Sequence, residues 1–239
     1  MEFKPHAKLT RTLRLLLKIM IVVTAVAVVA DVYNFVSYSS LPSDLDAKEV
    51  VLTSDGVSGI VGIVEFLIAI VTGITFLRWI YRSNKNLRAL SGESMVFTPG
   101  WSVGWYFIPI ANLWKPYQAM KEIWDVSHKN NSIDHAVVGW WWVLWLTSNS
   151  LDRLAFKVAM RAEDAGGYTV SAMTYIIADG FDVILNVVAL VMVTRIATAY
   201  SQNIVEPTGA ADGGSAIPAG DLSRSLFTDS LPPHRQILP

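Results

Sequence analysis

Cysteine is absent from the 239 residues. That excludes disulfide frameworks, thiolate metal sites and a cysteine nucleophile, and leaves the redox compartment unreadable. Charge is scarce: Asp, Glu, Lys and Arg make up 16 % of the chain, against about 25 % in a soluble globular domain. It is also balanced, 19 basic residues against 20 acidic, for a net charge of −1. The basic footprint of a nucleic-acid-binding protein is missing, so nucleic acid is not an expected partner. No phosphate loop, G-x-S-x-G or H-E-x-x-H pattern occurs, and no tandem repeat is visible. In place of charge stand hydrophobic residues, 52 % of the chain, with a mean hydropathy of +0.40. Too few charges remain to cover a water-facing surface, and the lipid bilayer is the solvent these residues fit. The expected fold class is an all-α membrane protein: a four-helix transmembrane bundle with a short re-entrant or interfacial helix between spans 2 and 3.

A bilayer core of about 30 Å needs roughly 20 helical residues. Four apolar runs qualify or nearly so: 15–36, 57–80, 136–155 and 172–199. The third is short of apolar residues after Leu151 and extends into the amphipathic stretch 152–160. The runs are continuous rather than alternating, which selects helices over barrel strands. The first is longer than a signal-peptide core and lacks a small-residue cleavage site close behind it, so it reads as an uncleaved signal anchor. Residues 1–14 read as a basic cytoplasmic tail and 203–239 as a disordered cytoplasmic tail, because the latter has too little apolar area to offset its ordering entropy. Leu226-Phe227 and Ile237-Leu238 there are weak docking candidates.

Basic residues set the orientation. With four spans and both ends inside, 15 of the 19 basic residues fall on the cytoplasmic side. They are Lys4, Lys8, Arg11, Arg14 and Lys18 before the first span, Arg78, Arg82, Lys85, Arg88, Lys115, Lys121 and Lys129 in the middle, and Arg195, Arg224 and Arg235 at the end. Only Lys48, Arg153, Lys157 and Arg161 remain outside. A full crossing by 101–113 would weaken the asymmetry to 12 against 7. Both chain ends are therefore expected on the cytoplasmic side of a membrane.

The middle segment is the most specific. Thr98-Pro99 predicts an N-cap with proline at the first helical position. A short helix to about Phe107, a break near Pro109 and an amphipathic helix to about Asp125 follow, so that 99–125 forms a re-entrant or interfacial elbow. Trp101, Trp105, Tyr106, Trp114, Tyr117 and Trp124 have apolar bodies and polar tips suited to the headgroup boundary. Lys115 and Lys121 can reach lipid phosphates. Gly100 and Gly104 form a small-xxx-small pair that lets another helix approach. Pro109 and Pro116 interrupt hydrogen bonding, and Asn112 between them is placed to cap a freed backbone group.

The run Pro99-Gly100-Trp101, Gly104-Trp105, Phe107, Pro109, Asn112-Leu113 and Pro116-Tyr117 follows a P-G-W-x-x-G-W-x-F-x-P-x-x-N-L-x-x-P-Y pattern. With Glu122-Ile123-Trp124, the Trp140-Trp141-Trp142 and Trp145 cluster and the closing Val193-Thr194-Arg195, it resembles a bacterial membrane family known as domain of unknown function 4328. The resemblance covers roughly 60–202. It implies a multi-span membrane domain and brings no activity, cofactor or catalytic residue with it.

Charged groups inside a span mark functional candidates. With span midpoints near Val26, Ile68 and Ile184, Glu65 and Asp182 lie within about 5 Å of the midplane, and Asp31 and Asp179 about 7–8 Å toward the outside. Asp179, Asp182 and Asn186 share one helix face. No Lys or Arg lies at their depth. Three roles are open to this set: protonated structural glue, which is favoured, a water-filled cleft, or cation or proton handling. His128 and His135, near Asp125 and Asp134, lack enough ligands for a metal site and read as solvated loop histidines. Asn130-Asn131-Ser132 fits a glycosylation pattern but falls on the cytoplasmic side.

No nucleophile–base pair is visible, so an enzyme is not expected, and neither cofactor nor metal is called for. The favoured expectation is a membrane module that binds a protein partner, a lipid or a second copy through the aromatic motif. The alternative is a small ion- or proton-coupled transport protein that uses the intramembrane carboxyls.

Overall fold

In a computed structural model, the residues described are 7–41, 48–91, 95–128 and 135–205; all ordered elements among them are helical. They are α1 (Ala7–Ser39), α2 (Lys48–Ser91), α3 (Trp101–Gly104), α4 (Lys115–Ser127), α5 (Ala136–Ala159) and α6 (Ala165–Val205), with 3-10 turns at Trp105–Phe107 and Ala111–Leu113. The chain divides into Met1–Tyr200 and Ser201–Pro239, and all that follows concerns the first unit. The tail from 206 onward, the Asn130–Ser132 pattern, Asp134, His6 and His234 lie outside the described residues.

α1 shows why the helices assemble as they do. Thr10, Leu13, Leu17, Met20, Thr24, Ala27, Asn34 and Tyr38 are buried and recur every three or four residues, which lays them on one stripe. The opposite face carries Leu15, Ile19, Val22, Val26, Val29 and Val36, all exposed. The outward face is therefore the greasier one, an arrangement that water penalises and lipid tolerates. Side-chain hydroxyls on the long helices fold back onto their own carbonyls, as Thr72 does to Ile68 (2.8 Å), Thr75 to Val71 (2.7 Å) and Thr174 to Val170 (2.7 Å). Each such bond satisfies a donor where water is absent.

Cross-helix bonds fix the register. Trp79 Nε1 donates to Thr10 Oγ1 (3.1 Å) and Thr24 Oγ1 donates to Glu65 Oε1 (2.5 Å), so α1 and α2 run antiparallel over an unbroken register. Arg14 reaches the Thr194 carbonyl (3.4 Å), and further along α1 the Asp31 and Asp179 carboxyls lie within hydrogen-bonding reach of each other, so α1 and α6 are antiparallel too. Ser148 of α5 donates to Asp182 of α6. The main core lies at one end of the bundle. There Leu13 and Leu17 meet Trp79 and Ile80, Ile123 and Trp124 of α4, Trp141 and Trp142 of α5, and Met192 and Ile196 of α6. Tyr38 and Ala172 anchor a smaller cluster elsewhere, with the Tyr168 ring tilted against Tyr38 at 5.7 Å.

Among the described residues three helices, rather than the expected four, are long and apolar enough to cross a membrane: Ala7–Ser39, Gly59–Ala89 and Ala165–Ala199. The shortfall is α5. Its 24 residues rise about 36 Å, which is length enough, but Thr147, Ser148, Asn149, Ser150, Asp152 and Arg153 follow its tryptophans and dilute the apolar run. Helix ends also differ from expectation. α1 begins at Ala7, so 7–14 is helix rather than tail, and α2 begins at Lys48. α6 begins at Ala165, where Asp164 Oδ1 accepts from the Gly167 N–H (2.7 Å) as a cap. Hydropathy locates the apolar centre of a helix, whereas its ends are set by caps and turns that hydropathy does not register.

Candidate functional site

The elbow between α2 and α5 is built around a short irregular segment, Met95 to Phe97. On one side α2 supplies Asn84, whose Nδ2 donates to the Phe97 carbonyl (2.9 Å), and Arg88, whose guanidinium donates to the Met95 (2.7 Å) and Phe97 (3.0 Å) carbonyls. On the other side the Glu122 carboxylate of α4 accepts from the Val96 and Phe97 N–H groups, the latter at 3.0 Å. A cation thus takes the carbonyls of this segment and an anion takes its amides. Charge-assisted bonds of this kind are among the stronger ones available to a backbone. Expectation missed all three clamp residues, because nothing in the spacing of Asn84, Arg88 and Glu122 announces a shared target 7 to 26 positions away in sequence.

Past the clamp, Ser102 N–H bonds the Thr98 carbonyl (2.9 Å) and Ser102 Oγ the Pro99 carbonyl (2.8 Å), which starts α3. Thr98 Oγ1 stands 3.4 Å from the Trp101 amide, a loose version of the expected cap. Trp101 and Trp105 face one another at 4.7 Å. The Lys115 ammonium sits 5.7 Å from the Phe97 ring centroid and 5.8 Å from that of Trp105, and bonds Gln118 (3.2 Å), so these groups occupy the cation that was expected to reach lipid phosphate. Trp142 Nε1 of α5 donates to the Leu113 carbonyl (3.1 Å), and Tyr106 meets Trp145 edge-on at 6.3 Å, which ties the elbow to α5. Burial pushes the Tyr106 phenol above the ordinary tyrosine range, and its hydroxyl has no hydrogen-bond partner. Val96, Trp101, Phe107, Ile110, Leu113 and Trp114 are left exposed.

Three expectations for motif residues need correction. A Cβ on Gly100 would meet nothing within 4 Å, and one on Gly104 would meet the Trp101 ring at 3.2 Å. Gly104 therefore seats a tryptophan of its own segment rather than a second helix, and Gly100 faces open space. Pro116 does not interrupt hydrogen bonding: it occupies the first turn of α4, where an amide needs no partner. Pro109 does lie at the break between the two 3-10 turns. The Asn112 side-chain oxygen is buried without a donor and caps nothing. His128 and His135 do lie in the turns that end α4 and precede α5, but each has a partner: His128 Nδ1 bonds the Trp124 carbonyl (2.8 Å) with its ring tilted against Trp124 at 4.4 Å, and His135 lies 2.8 Å from Asp125.

The acids occupy a second region. The Asp31 and Asp179 side chains lie within hydrogen-bonding reach of each other, and Asp179 is buried. Glu65, bonded to Thr24, and Asp182, bonded to Ser148, lie within electrostatic reach of Asp179. Asp152 of α5 and Tyr175 of α6 join the same group, although Asp152 read as part of an outer extension. Asn186 does not join through its amide: Nδ2 donates to its own helix at the Asp182 carbonyl (2.8 Å). Each of the four long helices thus contributes a carboxyl. Among the described residues, no group of three or more His, Asp or Glu is placed to hold a metal.

The family model described as Domain of unknown function (DUF4328) matches residues 43–198, well over half of the chain. The chain belongs to this family. No curated protein and no solved structure matches it. The match takes in the whole clamp and elbow, together with Glu65, Asp152, Asp179 and Asp182. It begins earlier than the expected position 60 and leaves out α1, so Thr24 and Asp31, the α1 partners of the acid group, belong to this chain's extension of the DUF4328 domain.

Proposed function

We propose that the protein is a non-enzymatic module of the bacterial cytoplasmic membrane that presents its aromatic elbow at the inner leaflet to a lipid or protein partner. In this reading α1, α2, α5 and α6 all cross, both ends are cytosolic, and the elbow dips into the leaflet without passing through. Support for a crossing α5 comes from its length and from its polar face, which meets Asp182 through Ser148 rather than lipid.

The observation that carries the reading is the contrast within the elbow. Its backbone is gripped by Asn84, Arg88 and Glu122, whereas Phe107 (71 %), Ile110 (71 %) and Trp101 (50 %) stand out in the open. A rigid backbone that displays apolar side chains is preorganised for binding, since little order remains to be imposed. Each such side chain contributes roughly 1–2 kcal/mol when it leaves water. The absence of cysteine makes the test direct. Ile110→Cys, carrying an environment-sensitive fluorophore, should shift to the blue in liposomes and resist aqueous iodide. Full quenching by iodide in the reconstituted protein would refute the inserted elbow. Trp101→Ala with Trp105→Ala should loosen the insertion.

A second reading rests on the acids. One carboxyl from each long helix, with hydroxyls of Thr24, Ser148 and Tyr175 nearby, is an arrangement suited to proton handling in a transport protein. Proton flux in liposomes that Glu65→Gln or Asp182→Asn abolishes would favour it over the binding module. Four helices are few for a solute path, so such a protein would act as an oligomer.

A further inference from the structure

A cleft of about 450 Å³ opens where the start of α1, the end of α2 and α3 come together. Leu9, Ile74, Leu77 and Val103 wall it, and Arg78 and Arg82 stand at its mouth. The two arginines are one helical turn apart, so their guanidinium groups are neighbours. Arg14 and Arg88 are bonded to backbone carbonyls, but neither Arg78 nor Arg82 has a hydrogen bond or ion pair to any described residue. An exposed apolar stripe, Ile63, Leu67, Ile70 and Ile74, runs along the same face of α2 and ends in the cleft.

We propose that this cleft is an inner-leaflet site for one anionic phospholipid, its phosphate between Arg78 and Arg82 and one acyl chain along the 63–74 stripe. Charge complementarity selects the headgroup: two unpaired guanidinium groups match a phosphodiester, and arginine binds phosphate through paired donors. The apolar walls and the stripe select a lipid over a free anion, because a soluble phosphate leaves both unused. Basic pockets between helices on the cytosolic face take anionic headgroups for the same reason. Val103 belongs to α3, so an occupied cleft also braces the elbow. The site names a ligand class for the inner-leaflet reading and rests on it.

The test uses the full-length protein, delipidated in a nonionic detergent. Native mass spectrometry counts retained dioleoyl phosphatidylglycerol against dioleoyl phosphatidylcholine, with inorganic phosphate as a separate competitor. The wild type should retain one phosphatidylglycerol with about 30-fold preference, the scale expected from two arginines at a lipid surface. Arg78→Gln with Arg82→Gln should bring that preference to within about twofold, whereas Lys18→Gln with Arg195→Gln, an equal loss of charge at the same end of the bundle, should preserve it. Val103→Trp keeps both arginines and fills the cleft, so it should reduce retention of either lipid. The proposal is overturned if both double variants lose preference equally, if neither does, if Val103→Trp has no effect, or if millimolar phosphate displaces the lipid. The elbow reading fails separately, through iodide access at position 110, so the two failures are distinguishable.

Discussion

Replacing Glu122 by glutamine should release the Met95–Phe97 segment without unfolding the bundle. The carboxylate accepts two backbone amides, those of Val96 and Phe97. Hydrogen bonds to a charged group are worth about 1.5–3 kcal/mol each when shielded, and Val96 is largely exposed, so solvent takes part of that value. Glutamine keeps one acceptor oxygen and loses both the charge and one bond. The expected loosening is about 2 kcal/mol, which raises the open fraction about 30-fold. Glu122→Ala removes both acceptors, and about 3 kcal/mol corresponds to more than 100-fold. Amide hydrogen exchange reads this directly: Val96 and Phe97 should exchange faster by these factors. The Ser102 amide, held by the Thr98 carbonyl at 2.9 Å, should change by less than about threefold. Unaltered exchange at Val96 and Phe97 in Glu122→Gln would mean that Arg88 and Asn84 hold the segment unaided. Equal acceleration at Ser102 would mean that the elbow opens as one unit. Either result refutes the two-sided clamp.

Other perturbations follow the same physics. Tyr106→Phe removes a buried hydroxyl that has no partner, so thermal stability in detergent should stay level or rise by about 1 kcal/mol; a loss larger than that would reveal a partner for the hydroxyl. Asp179→Asn keeps a polar partner within reach of Asp31 and should be nearly neutral, whereas Asp179→Leu leaves Asp31 unsatisfied and should cost about 2 kcal/mol in the same melting assay. Gly104→Ala places a methyl 3.2 Å from the Trp101 ring and should disturb the Trp101–Trp105 pair, read as altered near-ultraviolet circular dichroism. For topology, single cysteines at Ser40 and Arg161 should react with an impermeant maleimide from outside, and Gln118 only after permeabilisation. Arg161 protected together with Gln118 would leave α5 on one side of the membrane.

The solvent and the chief helices were legible before any coordinate. Continuous apolar runs over 15–36, 57–80 and 172–199 require helices that satisfy their own backbone groups, and α1, α2 and α6 contain them. The motif from Pro99 to Tyr117 named the family correctly because its tryptophans, prolines and glycines recur at fixed spacing. α5 was overread as an apolar span. Its tryptophans look greasy in a residue count, whereas the hydroxyls and charges behind them serve contacts with α6.

Tertiary structure alone decided who meets whom. Periodicity gives a face, and a face has no address until another helix packs on it. Hence Asn84, Arg88 and Glu122, ordinary polar residues on two separate helices, became one clamp. Asn112, which looked like a cap, became a half-buried amide whose oxygen has no donor, and Gly104 turned from part of a helix crossing into a seat for Trp101. Local chemistry is written residue by residue along the chain, so composition and spacing carry it. Pairing across the bundle depends on helix rotation and register, which many side chains set jointly and no short stretch contains.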